Sequence, residues 1–312
     1  MSVGTAVAFA ALSFIWGSTY LFIKVGVEHW PPFMLAGLRN LTACLALLAV
    51  MAALRRRLPR AWREWWPPLV FAALNGAAFA LIFWGERFIP SGQAAVLVAT
   101  MPLFTLPLAR LWSREPVRLA QMAAVVVGFA GVLMASGVRE GTGFAGSAQM
   151  RMLAQAGMLA AAFCYAASYV FSKRFFRADT YTNTAIHLGA SGLYLLALSL
   201  AAREVPDARA LTWPALGSLG YLALVGSALA YWLMFYLIDR LGSVQASYVT
   251  LINPVVAVAL GVLLLGEPLT WGMAAGTVAV VAGAWLVHRR PAGRGRLRLR
   301  EGSRRTEGAA AR

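Results

Sequence analysis

The chain has 312 residues, of which 60% are hydrophobic and only 13% are charged, and its formal net charge is +16. A soluble protein of this length needs far more polar surface, so the composition excludes an ordinary globular domain. The basic residues lie in short segments between apolar runs, which favours a membrane protein over a nucleic-acid-binding one.

Apolar runs of the length that spans a bilayer, about 20 residues, recur along the whole chain. Prolines and glycines separate them, as at Pro31-Pro32, Pro67-Pro68 and Pro90-Ser91-Gly92. The sequence therefore predicts an all-α membrane protein with ten transmembrane helices. They are placed at roughly 3–25, 33–53, 67–88, 92–112, 117–136, 151–173, 182–201, 214–236, 244–265 and 270–288.

Part of this pattern occurs twice. Residues 91–131 align without a gap to the residues 152 positions later. The matched residues include Ser91, Gln93, Pro102 and Glu115-Pro116, which fall on Ser243, Gln245, Pro254 and Glu267-Pro268. At an offset of 149, the aromatic pattern of the first helix falls on that of the sixth, so that Lys24 matches Lys173. Each half then has five spans, and an odd number forces the two halves into opposite orientations. Inverted repeats are typical of secondary transporters, which hold substrate near the membrane midplane.

The basic residues also give an orientation and a division of the chain. With the N-terminus inside, 21 of the 28 Lys and Arg residues face the cytoplasm and six face outward, so both termini are expected to be cytoplasmic. We expect an N-terminal repeat at 1–136, an outer linker at 137–150, a C-terminal repeat at 151–290 and a basic disordered tail at 291–312.

The stretch Trp16-Gly17-Ser18-Thr19-Tyr20 with Lys24, the two proline-bearing helices and the two Glu-Pro turns resemble the EamA branch of the drug/metabolite transporter superfamily. The resemblance covers about residues 3–288. It implies ten helices in two inverted five-helix repeats in a bacterial inner membrane. It also implies a central cavity walled by helices 1, 3, 4, 6, 8 and 9, and export of amino acids or related small metabolites.

Aromatic and polar side chains on those helices form the candidate substrate site. Trp16 and Tyr20 share a helix face, as do Asn75 and Phe79. Such a stripe suits an amphipathic solute, since pockets are mostly apolar with few placed polar groups. The alternative is packing between helices without ligand contact. The candidate substrate-binding residues are Trp16, Tyr20, Asn75, Phe79, Phe83, Thr100, Tyr165, Tyr169, Tyr231, Tyr248 and Asn253.

Two prolines near the middle of their helices, Pro102 and Pro254, are candidate hinges, because proline removes a backbone donor and frees the carbonyl one turn earlier. The alternative for both is a packed kink. Glu115 and Glu267 are expected to be structural, as carboxylates at helix N-termini.

Charged residues within predicted helices are few. We expect Arg39 to reach the outer interface or to pair with Glu28 or Glu86, and His187 to be a hydrogen-bonded interface residue. No Asp or Glu falls near the middle of a predicted helix. This favours facilitated transport, or coupling through edge groups such as Glu86 or Asp239.

No cofactor, metal site or enzymatic activity is expected, because the three His residues are scattered and Cys44 and Cys164 lie alone in apolar runs. The expected partners are a small-molecule substrate and the lipid bilayer, without nucleic acid, for a monomer or homodimer. The function predicted is export of small amphipathic metabolites, above all amino acids, by alternating access. Efflux of drugs or other organic solutes is one alternative, and a non-transporting membrane scaffold is another.

Overall fold

The computed structural model describes residues 2–113, 147–176, 178–206 and 208–288, together with residues 127 and 130. Every regular element within these ranges is helical. The α-helices are α1 Val3–Val27, α2 Pro32–Ala53, α3 Trp62–Gly85, α4 Ser91–Val98, α5 Met101–Leu108, α6 Ala148–Phe175, α7 Thr180–Ala201, α8 Trp213–Ala223, α9 Ala230–Leu241, α10 Ser243–Ser247, α11 Asn253–Leu265 and α12 Trp271–His288. The remaining segments are π-helical at Ala109–Ser113 and Leu224–Leu229, and 3-10 helical at Ala208–Leu211 and Tyr248–Leu251.

Eight helical spans in the described ranges are long and apolar enough to cross a bilayer. Three of them combine shorter segments: α4 with α5, α8 with α9, and α10 with α11. The 18-residue helix α12 follows them. These spans confirm the predicted all-α membrane fold. The predicted helix at 117–136 and the predicted tail at 291–312 lie outside the described residues.

Several predicted helix ends differ from the structure, by five residues at the start of α3 and at the end of α9. Helix α3 begins at Trp62 rather than at residue 67, so Pro67 and Pro68 lie inside it instead of in a turn. The extra turn is held by packing, because the ring of Trp66 lies edge-on against Phe171, with 5.8 Å between ring centroids. Helix α6 begins at Ala148 rather than at residue 151. The Ser147 hydroxyl caps this start by accepting from Met150 N.

The predicted continuous helices at 92–112 and 244–265 are both interrupted just before their prolines. Pro102 is the second residue of α5, and Pro254 is the second residue of α11. Proline has no N–H to donate to the carbonyl four residues earlier, and its ring clashes with that carbonyl, but it is tolerated in the first turn of a helix. Each proline therefore starts a new helical segment instead of kinking an unbroken one.

Helices α2 and α7 pack closely through glycines in a reciprocal way. A Cβ atom added at Gly37 would lie 2.7 Å from Leu196 Cδ2, and one added at Gly192 would lie 2.8 Å from Leu41 Cδ2. Along α2, Gly37 faces Leu196 and the later residue Leu41 faces the earlier residue Gly192, so the two helices run antiparallel at this contact. Reciprocal contacts of this kind are what a local two-fold axis produces.

Equivalent lysines of the two halves also make equivalent contacts. Lys24 Nζ donates to Glu86 O at 2.6 Å, at the end of α3. Lys173 Nζ donates to Ile238 O at 3.2 Å, near the end of α9. Lys173 is the repeat counterpart of Lys24, and Ile238 is 152 residues beyond Glu86, the same offset as in the 91–131 repeat. The duplicated sequence thus has duplicated contacts.

Glu267 caps a helix in the other half of the chain. Its Oε1 accepts from Ser91 N at 2.9 Å and its Oε2 accepts from Ser91 Oγ at 2.8 Å, at the start of α4. Gly261 leaves the room for this contact, because a Cβ there would lie 2.5 Å from Glu267 Oε2. The sequence predicted a structural carboxylate but not that it would join the halves. Its counterpart Glu115 lies outside the described residues.

Candidate functional site

A narrow cavity lies among the helices of both halves. The volume of the cavity is about 40 Å³, so this conformation has room for only a few atoms. Its lining residues are Trp16, Thr19, Tyr20 and Ile23 of α1, Arg39 of α2, Asn75, Phe79 and Ile82 of α3, Val98 and Met101 at the α4–α5 break, Tyr165 and Tyr169 of α6, Tyr231 of α9, Thr250 of the 3-10 turn and Asn253 of α11. Both helix interruptions therefore border the cavity.

Most of the candidate substrate-binding residues lie together around this space. Those that line it are Trp16, Tyr20, Asn75, Phe79, Tyr165, Tyr169, Tyr231 and Asn253. Three others do not. Phe83 is buried one turn beyond Phe79, beside the Arg39 guanidinium. Thr100 lies between α4 and α5, where its Oγ1 donates to Leu97 O of α4, and Tyr248 packs in a separate apolar cluster. In this structure these three residues lie outside the cavity lining, and their role in substrate binding stays a prediction.

The aromatic rings lining the cavity meet edge to face. Phe79 lies 6.2 Å from Tyr165 and 6.3 Å from Tyr231 between ring centroids, and Trp16 lies 5.7 Å from Tyr231. Such contacts fix ring positions and contribute about 0.5–1.5 kcal/mol each beyond area burial. The cavity is consequently a preformed aromatic enclosure rather than a loose gap.

The two asparagines are tied to the protein. Tyr231 OH donates to Asn75 Oδ1 at 2.8 Å, while Asn75 Nδ2 donates to Phe71 O at 3.3 Å. With its amide oriented to satisfy its neighbours, Asn253 Nδ2 donates to Val249 O at 3.0 Å and to Ser13 O at 3.1 Å. Asn75 therefore positions Tyr231, and Asn253 links α11 to α1.

Arg39 neither reaches an interface nor pairs with Glu28 or Glu86, so that expectation was wrong. It is 2% exposed, and Nε donates to Ser227 Oγ at 2.7 Å while Nη2 donates to Gly226 O at 2.9 Å. Its guanidinium carbon lies 4.7 Å from the centroid of the Phe79 ring. The π-helical segment around Ser227, which the sequence did not predict, provides the two acceptors.

His187 also differs from expectation. His187 is fully buried, and neither ring nitrogen has a hydrogen-bond partner among the described residues, so it is not the predicted hydrogen-bonded interface residue. Its ring lies 4.4 Å from that of Tyr231, behind the cavity wall. Glu86 lies at the end of α3, the edge position expected for it, but it is 0% exposed, and its carboxylate lacks a hydrogen-bond partner within the same part of the chain.

Several lining residues were not predicted. Thr19 and Ile23 continue the helix face that carries Trp16 and Tyr20, and Ile82 lies three residues after Phe79, so helical spacing could have found them. Arg39 gave a signal as a charge within an apolar run. Met101 and Thr250 depend on the helix interruptions, which apolar periodicity does not reveal.

Comparison with known families decides the class of this chain. The EamA-like transporter family matches it twice, at residues 4–137 and 152–289. The chain belongs to the EamA-like transporter family. The two matches confirm both the resemblance and the duplication read from the sequence. This EamA-family chain is accordingly a multi-pass membrane protein of a transporter family and not an enzyme.

Individual relatives agree with this assignment. The chain is 35% identical over 272 residues to the uncharacterized inner membrane transporter YedA of Escherichia coli, covering 84% of this chain and 83% of YedA. It is 28% identical to a probable amino-acid metabolite efflux pump of Salmonella typhimurium, covering 87% of this chain and 90% of that protein. A solved crystal structure at 18% identity shares the fold, with a TM-score of 0.66 over 92% of this chain and 97% of that chain.

Proposed function

We propose that this EamA-family chain exports small amphipathic metabolites, with amino acids as the first class to test, across a bacterial inner membrane. The observation that carries the proposal is the narrow cavity that both halves line, with aromatic walls and a few polar groups. Enclosures of this composition suit solutes with an apolar body and a polar end. The relative named as an amino-acid metabolite efflux pump supports the substrate class.

Alternating access would follow from two five-helix repeats of opposite orientation, at 1–136 and 151–290, joined by an outer linker at 137–150. This arrangement has ten spans, including 117–136, and puts both termini and the basic tail at 291–312 in the cytoplasm. The reciprocal, antiparallel contact of α2 and α7 supports it. In the same proposal the carrier works as a monomer or homodimer, and Pro102 and Pro254 act as hinges beside the cavity.

Drug efflux is the second candidate within transport. Cationic drugs are disfavoured, because the lining contains the Arg39 cation and, among the described residues, no Asp or Glu. A non-transporting scaffold would have no use for an enclosed aromatic cavity between duplicated halves.

Counterflow in proteoliposomes tests the proposal. Vesicles containing the purified full chain are loaded with unlabelled amino acids, and uptake of a labelled amino acid is followed with and without a pH gradient. Accumulation without a gradient is expected for a carrier. Uptake of drugs but of no amino acid would favour the second candidate, and failure with both classes would favour the scaffold.

A matched pair of tryptophans tests whether the cavity is the substrate site. Trp16 lines the cavity, whereas Trp213 is 88% exposed at the start of α8. Trp16→Ala is expected to lower counterflow at least tenfold, and Trp213→Ala to leave it near the wild-type rate. Equal rates for the two variants would contradict the assignment of the site.

A further inference from the structure

Arg39 is held in the wall of the cavity by a specific local structure. The π-helical segment Leu224–Leu229 precedes α9, and its irregular turn leaves Gly226 O free to accept from Nη2 while Ser227 Oγ accepts from Nε. A Cβ at Gly226 would lie 2.8 Å from Thr19 Cγ2, so only a glycine lets α1 approach here. The arginine is therefore fixed in position where α1, α2 and the π-helical segment meet.

The Arg39 guanidinium makes no ion pair with the residues that the structure describes. Within the described residues the one ion pair, at 3.1 Å, joins Arg56 and Asp179 on the surface, so no carboxylate lies within 4.0 Å of the Arg39 guanidinium. An arginine in a protein stays protonated, and a buried unpaired charge is costly. Ring contacts with Phe79 and Phe83 offset only part of that cost.

Arg39, which lines the cavity, has hydrogen-bond donor capacity left over. Nη1 of Arg39 makes no hydrogen bond with the described part of the chain, and the side chain lines the cavity. A second donor without a partner among those residues, the buried Tyr169 hydroxyl, lines the same space. A cation and a neutral donor, with no carboxylate in the described lining, call for a ligand that accepts hydrogen bonds and carries negative charge.

We propose that Arg39 binds the carboxylate of the transported solute, so that the substrates of this cavity are carboxylates with an apolar body. This inference rests on the proposed function and specifies its substrate class. The solute carboxylate would neutralise the buried guanidinium through Nη1, and its apolar part would lie against Phe79 and its neighbouring rings. Neutral or cationic analogues of the same shape would leave the Arg39 charge unpaired and bind more weakly.

Matched ligand pairs test this without altering the protein. The thermal stability of the purified full chain is measured with a panel of L-amino acids, with the corresponding amides, and with phenylacetate and phenylacetamide. At least one carboxylate is expected to stabilise the protein with an apparent affinity about 10- to 100-fold above that of its amide, the range for a charge-assisted hydrogen bond. If no carboxylate in the panel exceeds its amide, the proposal is wrong.

Variants separate binding from a merely structural role. Arg39→Gln is expected to abolish the preference for carboxylate over amide, and Arg39→Lys, which keeps the charge, to retain part of it. Arg87→Gln removes an exposed arginine and is expected to keep the full preference. If Arg39→Gln is too unstable to purify, Arg39→Lys and the wild-type ligand pairs still decide. A stable Arg39→Gln protein with the wild-type preference would reduce Arg39 to a structural link between α2 and Ser227.

Counterflow distinguishes failure of this inference from failure of the proposed function. Transport of neutral amphipathic solutes with rejection of every carboxylate would leave an exporter but overturn the role of Arg39. Stabilisation by carboxylates through Arg39, without transport of any solute, would support the binding site and contradict export.

Discussion

Single residues in the cavity wall hold each other in place before any ligand arrives. Tyr231 contacts Trp16 and Phe79 through its ring and Asn75 through its hydroxyl. The Asn75 amide is buried, so its carbonyl depends on that hydroxyl for a partner. Removing one partner of a buried hydrogen bond costs more than the bond itself contributes.

Tyr231→Phe is therefore expected to destabilise the protein by about 1–3 kcal/mol, the cost of leaving a buried acceptor unpaired. The ring contacts persist, so the loss isolates the hydroxyl. Thermal or denaturant unfolding in detergent measures it. Tyr194→Phe is the matched control, because Tyr194 is 45% exposed on α7 and its change is expected to be within about 0.5 kcal/mol. Similar stability of the two variants would show that the Tyr231–Asn75 bond contributes little.

At this scale the sequence predicted residue types better than partners. Trp16, Tyr20 and Phe79 were found because helical periodicity puts them on the faces that became the cavity wall. The hydrogen-bond partners of Arg39 were not predicted. They belong to the π-helical segment Leu224–Leu229, whose sequence is apolar like its surroundings. Tyr248 lies in the 3-10 turn Tyr248–Leu251 and packs in a separate apolar cluster, and apolar periodicity does not predict that turn.

At the scale of elements, the broken spans matter most. Val98 and Met101 line the cavity at the first break, and Thr250 and Asn253 at the second. Departures from a regular α-helix are tolerated at membrane depth where the backbone is buried in protein or borders a cavity. Because both breaks sit next to the cavity, a change in their backbone angles would move the lining residues directly.

If the breaks act as hinges, Pro102→Ala and Pro254→Ala should allow the helices to continue and slow the conformational cycle. We expect counterflow several-fold below wild type, with unchanged or higher thermal stability, since alanine favours helix. Pro107→Ala, in the interior of α5 and facing outward, is the control that removes a proline away from the breaks. Its rate should stay closer to wild type. Equal effects at all three prolines would argue against a hinge at the breaks.

The element boundaries show what patterning leaves out. Apolar runs and turn residues gave the described spans to within a few residues, because hydrocarbon thickness sets their length. They missed the start of α3, where Trp66 packs on α6, and the interruptions before Pro102 and Pro254. Tertiary packing and local backbone geometry determine those features, and neither is visible in a hydropathy pattern.

At the scale of the whole molecule, the duplication in sequence reappears as duplicated contacts. The lysine contacts at Glu86 O and Ile238 O occur once in each half. The α2–α7 interface repeats one glycine–leucine contact with its roles exchanged. On each helix of this interface a glycine leaves room for a leucine of the other helix. Added volume on either helix would therefore meet the facing leucine.

Gly37→Ala and Gly192→Ala should therefore destabilise the protein to a similar extent. In each case the new Cβ would lie 3.0 Å from the backbone nitrogen of the facing leucine, Leu196 or Leu41, and backbone cannot move aside as a side-chain end can. Overpacking of this kind costs about 1–3 kcal/mol. Thermal unfolding of the purified variants in detergent measures the loss.

Gly217→Ala and Gly220→Ala are the matched controls, because no atom lies within 4 Å of a Cβ added at either position of α8. In a helix, alanine there should be neutral or stabilising by up to about 1 kcal/mol. Unequal losses at Gly37 and Gly192 would show that the reciprocal geometry does not extend to energetics. If Gly37→Ala and Gly192→Ala lose no more stability than the α8 controls, α2 and α7 move apart at little cost to accommodate the added Cβ. Comparable losses at Gly37 and Gly192, absent from α8, would show that both glycine contacts between α2 and α7 stabilise the protein to a similar extent.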